Sequence, residues 1–436
     1  MNAKLSSPIQ FPRRSLLALA AAALVTACGG GGDDEHAHTN TVIDTAGRLA
    51  IAESAATGVR VFDLDTKVVA ATFAMDSTSS ALYTSPGGRY AVAYQGTAGK
   101  VQFIDGGVWQ EDHADHLHDY RQAAARVDWT MTGTAPSHYD LQSGVQAAVY
   151  FDGSATATPP QNAKAALLTD DSIGGKKVVA SLELGYALHG LAEPVGNKLL
   201  TVFRAADAAN TLPTHLDLYQ RNGSGYTFDR RLDTRCDGMH GSFSSGSHTV
   251  VGCMDGVMVV THTTATAVAD RKVATSLRVS TVVGHPKLAG QFIGIGTEGT
   301  AAAPPVTTRY FAIDAVAGTS ATLTLPGWDN GRVRRAHAFD RSGSRFAVLD
   351  DQGALRMVTR QSNAWVAGPV VAGVVPAMPT AAPQPAIVAN GAKDEFYVTD
   401  PVAKQLVTVN SQTGAVVSRT ALGFTPSAIT WTGITR

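Results

Sequence analysis

The sequence predicts an all-β protein: a single β-propeller of eight four-stranded blades, with seven blades plus an odd segment as the alternative. Three observations lead there. A pattern of short apolar segment, glycine turn and alternating apolar strand recurs at intervals of roughly 45–52 residues, the period of a propeller blade. The chain of 436 residues holds 43 Gly and 19 Pro with many Thr and Val, a composition suited to short strands and frequent turns. Finally, the C-terminal "PSAITWTG" reads as an inner strand lacking a blade of its own, as ring closure requires.

The first element is a targeting segment. Lys4, Arg13 and Arg14 precede the apolar run "SLLALAAAALVTA", and small residues lead to Cys28. Residues 1–28 therefore read as an export signal with a lipobox-like end, Cys28 being the lipidated first mature residue; ordinary cleavage near Ala27 is the rival. Residues 29–41, "GGGGDDEHAHTNT", form a flexible tether carrying His36 and His38. No later stretch approaches the roughly 20 apolar residues of a spanning helix. The predicted location is the periplasm, with membrane contact only through a lipid anchor.

The propeller domain is expected over 42–436. "RLAIAES", "VRVFDLD" and "VVAATFAM" supply three strands of one blade, and "PSAITWTG" fills its inner position in competition with "TVIDTAG" near residue 42. The next repeats begin at Ala81, His138, His189, His240, His285, His337 and Pro385. Each hairpin is followed by two further strands, completing a four-stranded unit.

Five of these repeats begin with histidine. Inner strands line the central channel of a propeller, so His138, His189, His240, His285 and His337 are expected at strand starts around one face. His138, His240 and His337 each precede their turn glycine by the same count, whereas His189 and His285 are off by one. Several neutral imidazoles around one point suit zinc; copper(II) and nickel(II) accept the same donors. A second cluster lies in "EDHADHLHDY", where His113, His116 and His118 alternate with Asp112, Asp115 and Asp119. No apolar periodicity links this stretch to a core. It reads as a mobile loop between the third and fourth strands of the second blade, on the face opposite the strand starts. Export makes Cys236 and Cys253 a disulfide pair.

Charged residues make up 16% of the chain and the formal net charge is -1, so nothing draws it to nucleic acid. There is no nucleophile elbow, no HExxH and no repeated tryptophan-docking motif.

Together "VQFIDGGVWQEDHADHLHDY", "SHYD", "ALHG" and "CDGMHG…GCMDG" resemble the AztD-type periplasmic zinc metallochaperones over essentially the whole mature chain. The resemblance implies a non-enzymatic propeller that binds Zn2+ and passes it to the solute-binding protein of a zinc ABC importer. It implies metal-ligating roles for His113, His116, His118, His138, His189, His240 and His337, with Asp112 and Asp115 in the loop. The alternatives are an exported metal-dependent propeller hydrolase, lactonase-like, and a protein-interaction propeller whose histidines are incidental.

Overall fold

A computed structural model describes residues 40–205, 211–263 and 267–436. The export segment with Cys28, and the tether with His36 and His38, lie outside the described residues apart from positions 40 and 41. Among the described residues are eight four-stranded antiparallel sheets and one two-stranded sheet. The eight sheets are the blades of one propeller, whose chain packs as one unit from residue 40. No helix of the described residues is long and apolar enough to cross a membrane.

Ring closure follows the sequence expectation. Pro426–Thr432 is the inner strand of blade 1, hydrogen-bonded to Arg48–Glu53 with Leu49 opposite Trp431. Gly58–Asp63 and Val68–Ala74 complete that blade. The competing segment near residue 42 goes elsewhere, as described below. Pairing the two ends of the chain leaves no inner edge unpaired and locks the first blade to the last.

Burial within a blade follows from its position. Second strands are covered on both faces by neighbouring blades, so Tyr90–Gln95 (YAVAYQ) is buried throughout and reads as a continuous apolar run. Outer strands such as Val68–Ala74 alternate or face solvent. The core is therefore a ring of inter-blade clusters. One joins blades 3, 4 and 5 through Tyr150, Leu199, Leu216, Met239, Met258 and the two cysteines. Cys236 and Cys253 are disulfide-bonded, with Cα atoms 5.1 Å apart.

"EDHADHLHDY" departs from the expected mobile loop. Val108–Asp112 and Leu117–Arg121 form a β-hairpin between the third and fourth strands of blade 2. The signal was not apolar alternation but aromatic pairing: Trp109 stacks on Tyr120 at 4.9 Å, and Arg89 lies 3.7 Å from the Trp109 ring. The base is bolted to the start of the propeller unit and to its C-terminal residue. Buried Asp119 accepts hydrogen bonds from the Ile43 backbone N–H, the Gln110 side chain and the Arg436 guanidinium. Arg121 reaches Asp63 and Asp65 at 2.8 and 2.6 Å. Thr41 adds a parallel bridge to His118, which is where the segment near residue 42 is spent.

Candidate metal centre

Blades 3, 4 and 5 are consecutive, and each brings one histidine to the start of its inner strand. His138 lies in Pro136–Gln142, opposite Tyr150 on the second strand. His189 precedes Ala192–Val195 and His240 precedes Ser242–Ser245. Their ring centroids are 5.1, 5.3 and 5.3 Å apart, and one ligand nitrogen from each lies within 4.8 Å of the others. Tetrahedral zinc with bonds of about 2.0–2.1 Å spaces its ligand nitrogens about 3.4 Å apart. To hold zinc the three nitrogens would close from within 4.8 Å to about that distance, and three ligands would leave the fourth to water or a partner. Among the described residues this is the one group of three or more metal-ligating side chains drawn so close.

Partners behind the rings fix which nitrogen faces the centre. The Nδ1–H of His189 points at Asp152 Oδ2, 2.7 Å away, while Oδ1 of Asp152 accepts from the Ser137 hydroxyl. His240 donates from Nδ1 to the Ser280 carbonyl at 2.8 Å. Both rings then present an unprotonated Nε2, the arrangement of carboxylate- or carbonyl-backed metal histidines. The backbone is tied as well. Leu188 N–H donates to the Asp152 carbonyl at 2.9 Å, and the Tyr150 hydroxyl donates to the Leu188 carbonyl at 3.0 Å.

The electrostatics keep the cluster ready for a cation. Burial, then the neighbouring His189 and His240, pushes His138 down to about 4, so it is neutral at physiological pH. Burial also lowers His240. His189 is raised, chiefly by its hydrogen bond to Asp152. Deeper in the channel, Asp140 follows His138 on the same face of its strand and accepts the Ala192 N–H at 2.8 Å. Glu193 accepts the Ser244 hydroxyl at 2.7 Å, and burial pushes it up to about 7. Burial and the nearby Glu193 raise Asp140.

Sequence reasoning missed Asp152, Asp140 and Glu193. Asp152 follows the second strand of its blade in "YFDG", and the same Asp-Gly pattern ends a third strand at Asp105 in "FIDG", so it looks like an ordinary turn residue. Nothing local distinguishes it.

The other histidines are placed differently from the expected common ring. His285 follows the inner strand Thr281–Gly284 and sits in the turn at the far end of blade 6. Its glycine spacing aligned it to the wrong end of the repeat. His337 lies within Arg334–Phe339, opposite Val348, with its ring 5.8 Å from Phe346. Its Nδ1 accepts from the Arg334 guanidinium at 2.7 Å, and burial pushes its pKa down to about 3. Blade 7 is also separated from blade 5 by a whole blade, so His337 is not part of the three-histidine group.

The hairpin gathers its own imidazoles. Antiparallel pairing puts Trp109–Tyr120 and Glu111–His118 in direct opposition, and alternation carries His113 and His116 to the same face at the turn. Ring centroids of His113, His116 and His118 are 5.1–6.3 Å apart. Asp112 Oδ1 caps the turn through the Ala114 N–H at 2.8 Å, and Asp115 Oδ1 meets His116 Nδ1 at 2.8 Å. Glu111 Oε2, 3.7 Å from His113 Nε2, is the carboxylate on the imidazole face. An up-and-down blade alternates its connections between the two ends of the ring. A third-to-fourth-strand hairpin therefore leaves from the end opposite the inner-strand starts. Inner strands of four to seven residues put the two imidazole groups on the order of 20 Å apart.

No protein-family model matches the chain. It is 28% identical over 225 residues to the zinc chaperone AztD of Citrobacter koseri, a match that covers 51% of this chain and about half the length of that relative (50%). A crystal structure of Citrobacter koseri AztD superposes with a TM-score of 0.69 at 22% identity, over 88% of this chain and 96% of that one. The dihydro-heme d1 dehydrogenase NirN reaches 0.57 at 13% identity, over 91% of this chain and 77% of its own. At these identities the structural likenesses speak to the fold. The chain is an eight-bladed β-propeller that resembles the zinc chaperone AztD in sequence over half its length and in fold over most of it.

Proposed function

We propose that this protein is a periplasmic zinc chaperone. It takes up Zn2+ on His138, His189 and His240 and hands it to the zinc-specific solute-binding protein of an ABC importer. The observation that carries the reading is the convergence of three imidazoles from consecutive blades, two of them backed by acceptors that leave Nε2 available. Neutral nitrogen donors suit this task. They hold zinc without redox chemistry and release it more readily than thiolates. The open fourth position admits water while the ion is carried and a partner's side chain at hand-over, so the metal passes by ligand exchange without becoming free.

On this reading the hairpin is a second, weaker capture point. His113, His116 and His118 are the ligands, assisted by Glu111, Asp112 or Asp115. It is held at its base and exposed at its turn, on the other end of the ring from the channel cluster. Lipidation of Cys28 would keep the chaperone at the membrane that houses the importer.

The open position also favours a second reading, a hydrolytic zinc that activates water. Zinc content tests the site both readings share, and transfer separates them. Zinc content per chain is expected to fall when His189 or His240 is replaced. Loaded protein mixed with the apo solute-binding protein is expected to deliver its zinc faster than dissociation into a chelator allows. Transfer no faster than dissociation, together with turnover of ester or lactone substrates, would replace the chaperone reading with the enzyme.

A further inference from the structure

The disulfide and the metal cluster share a short stretch of backbone. Cys236 lies in the segment that crosses from blade 4 to blade 5, Cys253 ends the second strand of blade 5 (His248–Cys253), and the 17-residue span between them contains His240. Both cysteines are fully buried. Gly252, next to Cys253, accepts the His240 N–H at 3.1 Å and donates to the Gly241 carbonyl at 3.0 Å. The Cys253 carbonyl accepts the Val279 N–H at 3.0 Å, and the adjacent Ser280 carbonyl is the group that orients the His240 ring. The His240 backbone and its imidazole are thus anchored at two points, each one peptide unit or so from Cys253. The contact is tight: a Cβ on Gly252 would lie 2.3 Å from the Val279 carbonyl oxygen and 2.6 Å from that of His240.

The cysteine on the other side holds the crossing segment down. Cys236 N–H donates to the Thr214 carbonyl at 2.8 Å and Met239 N–H to Pro213 at 3.2 Å, while Met254 N–H donates to Asp237 at 2.8 Å. This segment belongs to no strand, and the covalent bond adds to the few backbone hydrogen bonds that tie it to the ladder of blade 5. The corresponding stretches before His138 and His189 have no such staple. His138 is already inside a strand, and His189 is held through Asp152 and Leu188.

We propose that the Cys236–Cys253 disulfide is a positioning element for the metal centre, holding His240 in register with His138 and His189. This rests on the zinc reading above. The bond carries no ligand and takes no part in exchange. It restricts the one ligand that neither a strand nor a carboxylate holds, so that little conformational freedom is lost when the ion binds. A consequence is that full zinc affinity develops only after the chain has left a reducing compartment and a disulfide-exchange oxidant has taken two electrons and two protons from the Cys236 and Cys253 thiols, itself becoming a dithiol.

The test is a thermodynamic cycle on the full-length apo protein with zinc ions as the probe, read by competition against a chromophoric chelator. The Cys236→Ala/Cys253→Ala variant is expected to bind zinc in the channel about tenfold more weakly, as for loss of a supporting contact behind a ligand. In the His240→Ala background the same cysteine change is expected to add nothing further. Gly252→Ala, with the disulfide intact by thiol count, is expected to reproduce the weakening, because its Cβ displaces His240 directly. If the cysteine variant melts below the measuring temperature, the single variants Cys236→Ser and Cys253→Ser carry the same cycle, each read below its own Tm. Losses that simply add in the two backgrounds would overturn the positioning role and leave the bond a general stabiliser. Unchanged affinity on His240→Ala alone would overturn the zinc reading of the cluster, and this proposal with it.

Discussion

Exchanging Asp152 for Asn removes one negative charge and keeps the shape of the side chain. In the native protein Oδ2 receives His189 Nδ1–H at 2.7 Å and Oδ1 receives the Ser137 hydroxyl, with the Asp152 side chain 21% exposed. An amide oxygen still accepts from His189, so the ring stays in place and keeps its tautomer. What is lost is the charge that strengthens Nε2 as a donor. Removing such a partner behind a metal histidine costs 10–100-fold in affinity, or about 1.4–2.7 kcal/mol. The same carboxylate raises the His189 pKa above its ordinary value, so in the native protein protons compete with zinc for this nitrogen more strongly than they would otherwise. The variant loses that competition. Its affinity deficit is therefore expected to be largest near pH 7.5 and to shrink toward about pH 6, where a His189 raised above its ordinary value is already mostly protonated. The assay is chelator competition at both pH values, with the His189 titration followed by NMR in the apo protein. Equal affinities near pH 7.5, or a deficit that does not change with pH, would refute the role given to Asp152.

Replacing His189 or His240 with Ala is expected to weaken the channel site at least about tenfold. His337→Ala is expected to leave channel affinity unchanged but to lower Tm, because the ring fills space beside Phe346; a drop in zinc affinity would show that blade 7 does reach the site. Replacing His113, His116 and His118 together is expected to retain the channel zinc, lower total uptake and slow delivery to the solute-binding protein. Equal transfer rates would leave the hairpin without a metal role. Deleting 111–119 outright is expected to lower Tm as well, because it removes Asp119 and its bonds to Ile43 and Arg436. The zinc-free protein is expected to lose stability on acidification. His138 and His262 are depressed to about 4 and His337 to about 3, chiefly by burial. Their contributions are complete above the unfolded value near 6.5 and fade as pH falls toward the folded values. Glu193, raised to about 7 by burial, works oppositely, its contribution fading as pH rises through about 7. In a Glu193→Gln variant, which removes the opposing carboxyl, a Tm that stays flat from about pH 6.5 to about pH 4.5 would contradict the burial of these histidines.

The sequence by itself determined the propeller, its eight blades and the closing strand. A repeat of roughly 50 residues leaves few ways to bury each blade's faces, and an inner strand without a blade has one place to go. It also placed His138, His189 and His240 together, because residues one blade period apart on consecutive blades become neighbours around the channel. It paired Cys236 with Cys253. Only the tertiary structure decided which further residues join them. Strand register alternates side chains between faces with a period of two, so counting from a glycine turn misassigned His285 to the wrong end and His337 to the wrong environment. The support from Asp152 depends on a hydrogen bond spanning 37 residues between adjoining blades, and nothing in "YFDG" encodes it. The hairpin took its order from aromatic stacking and from Asp119 meeting Arg436, which is 317 residues away in the chain. Local pattern sets which strands form and how often they recur. Which side chains meet depends on contacts between blades, and those exist only once the ring has closed.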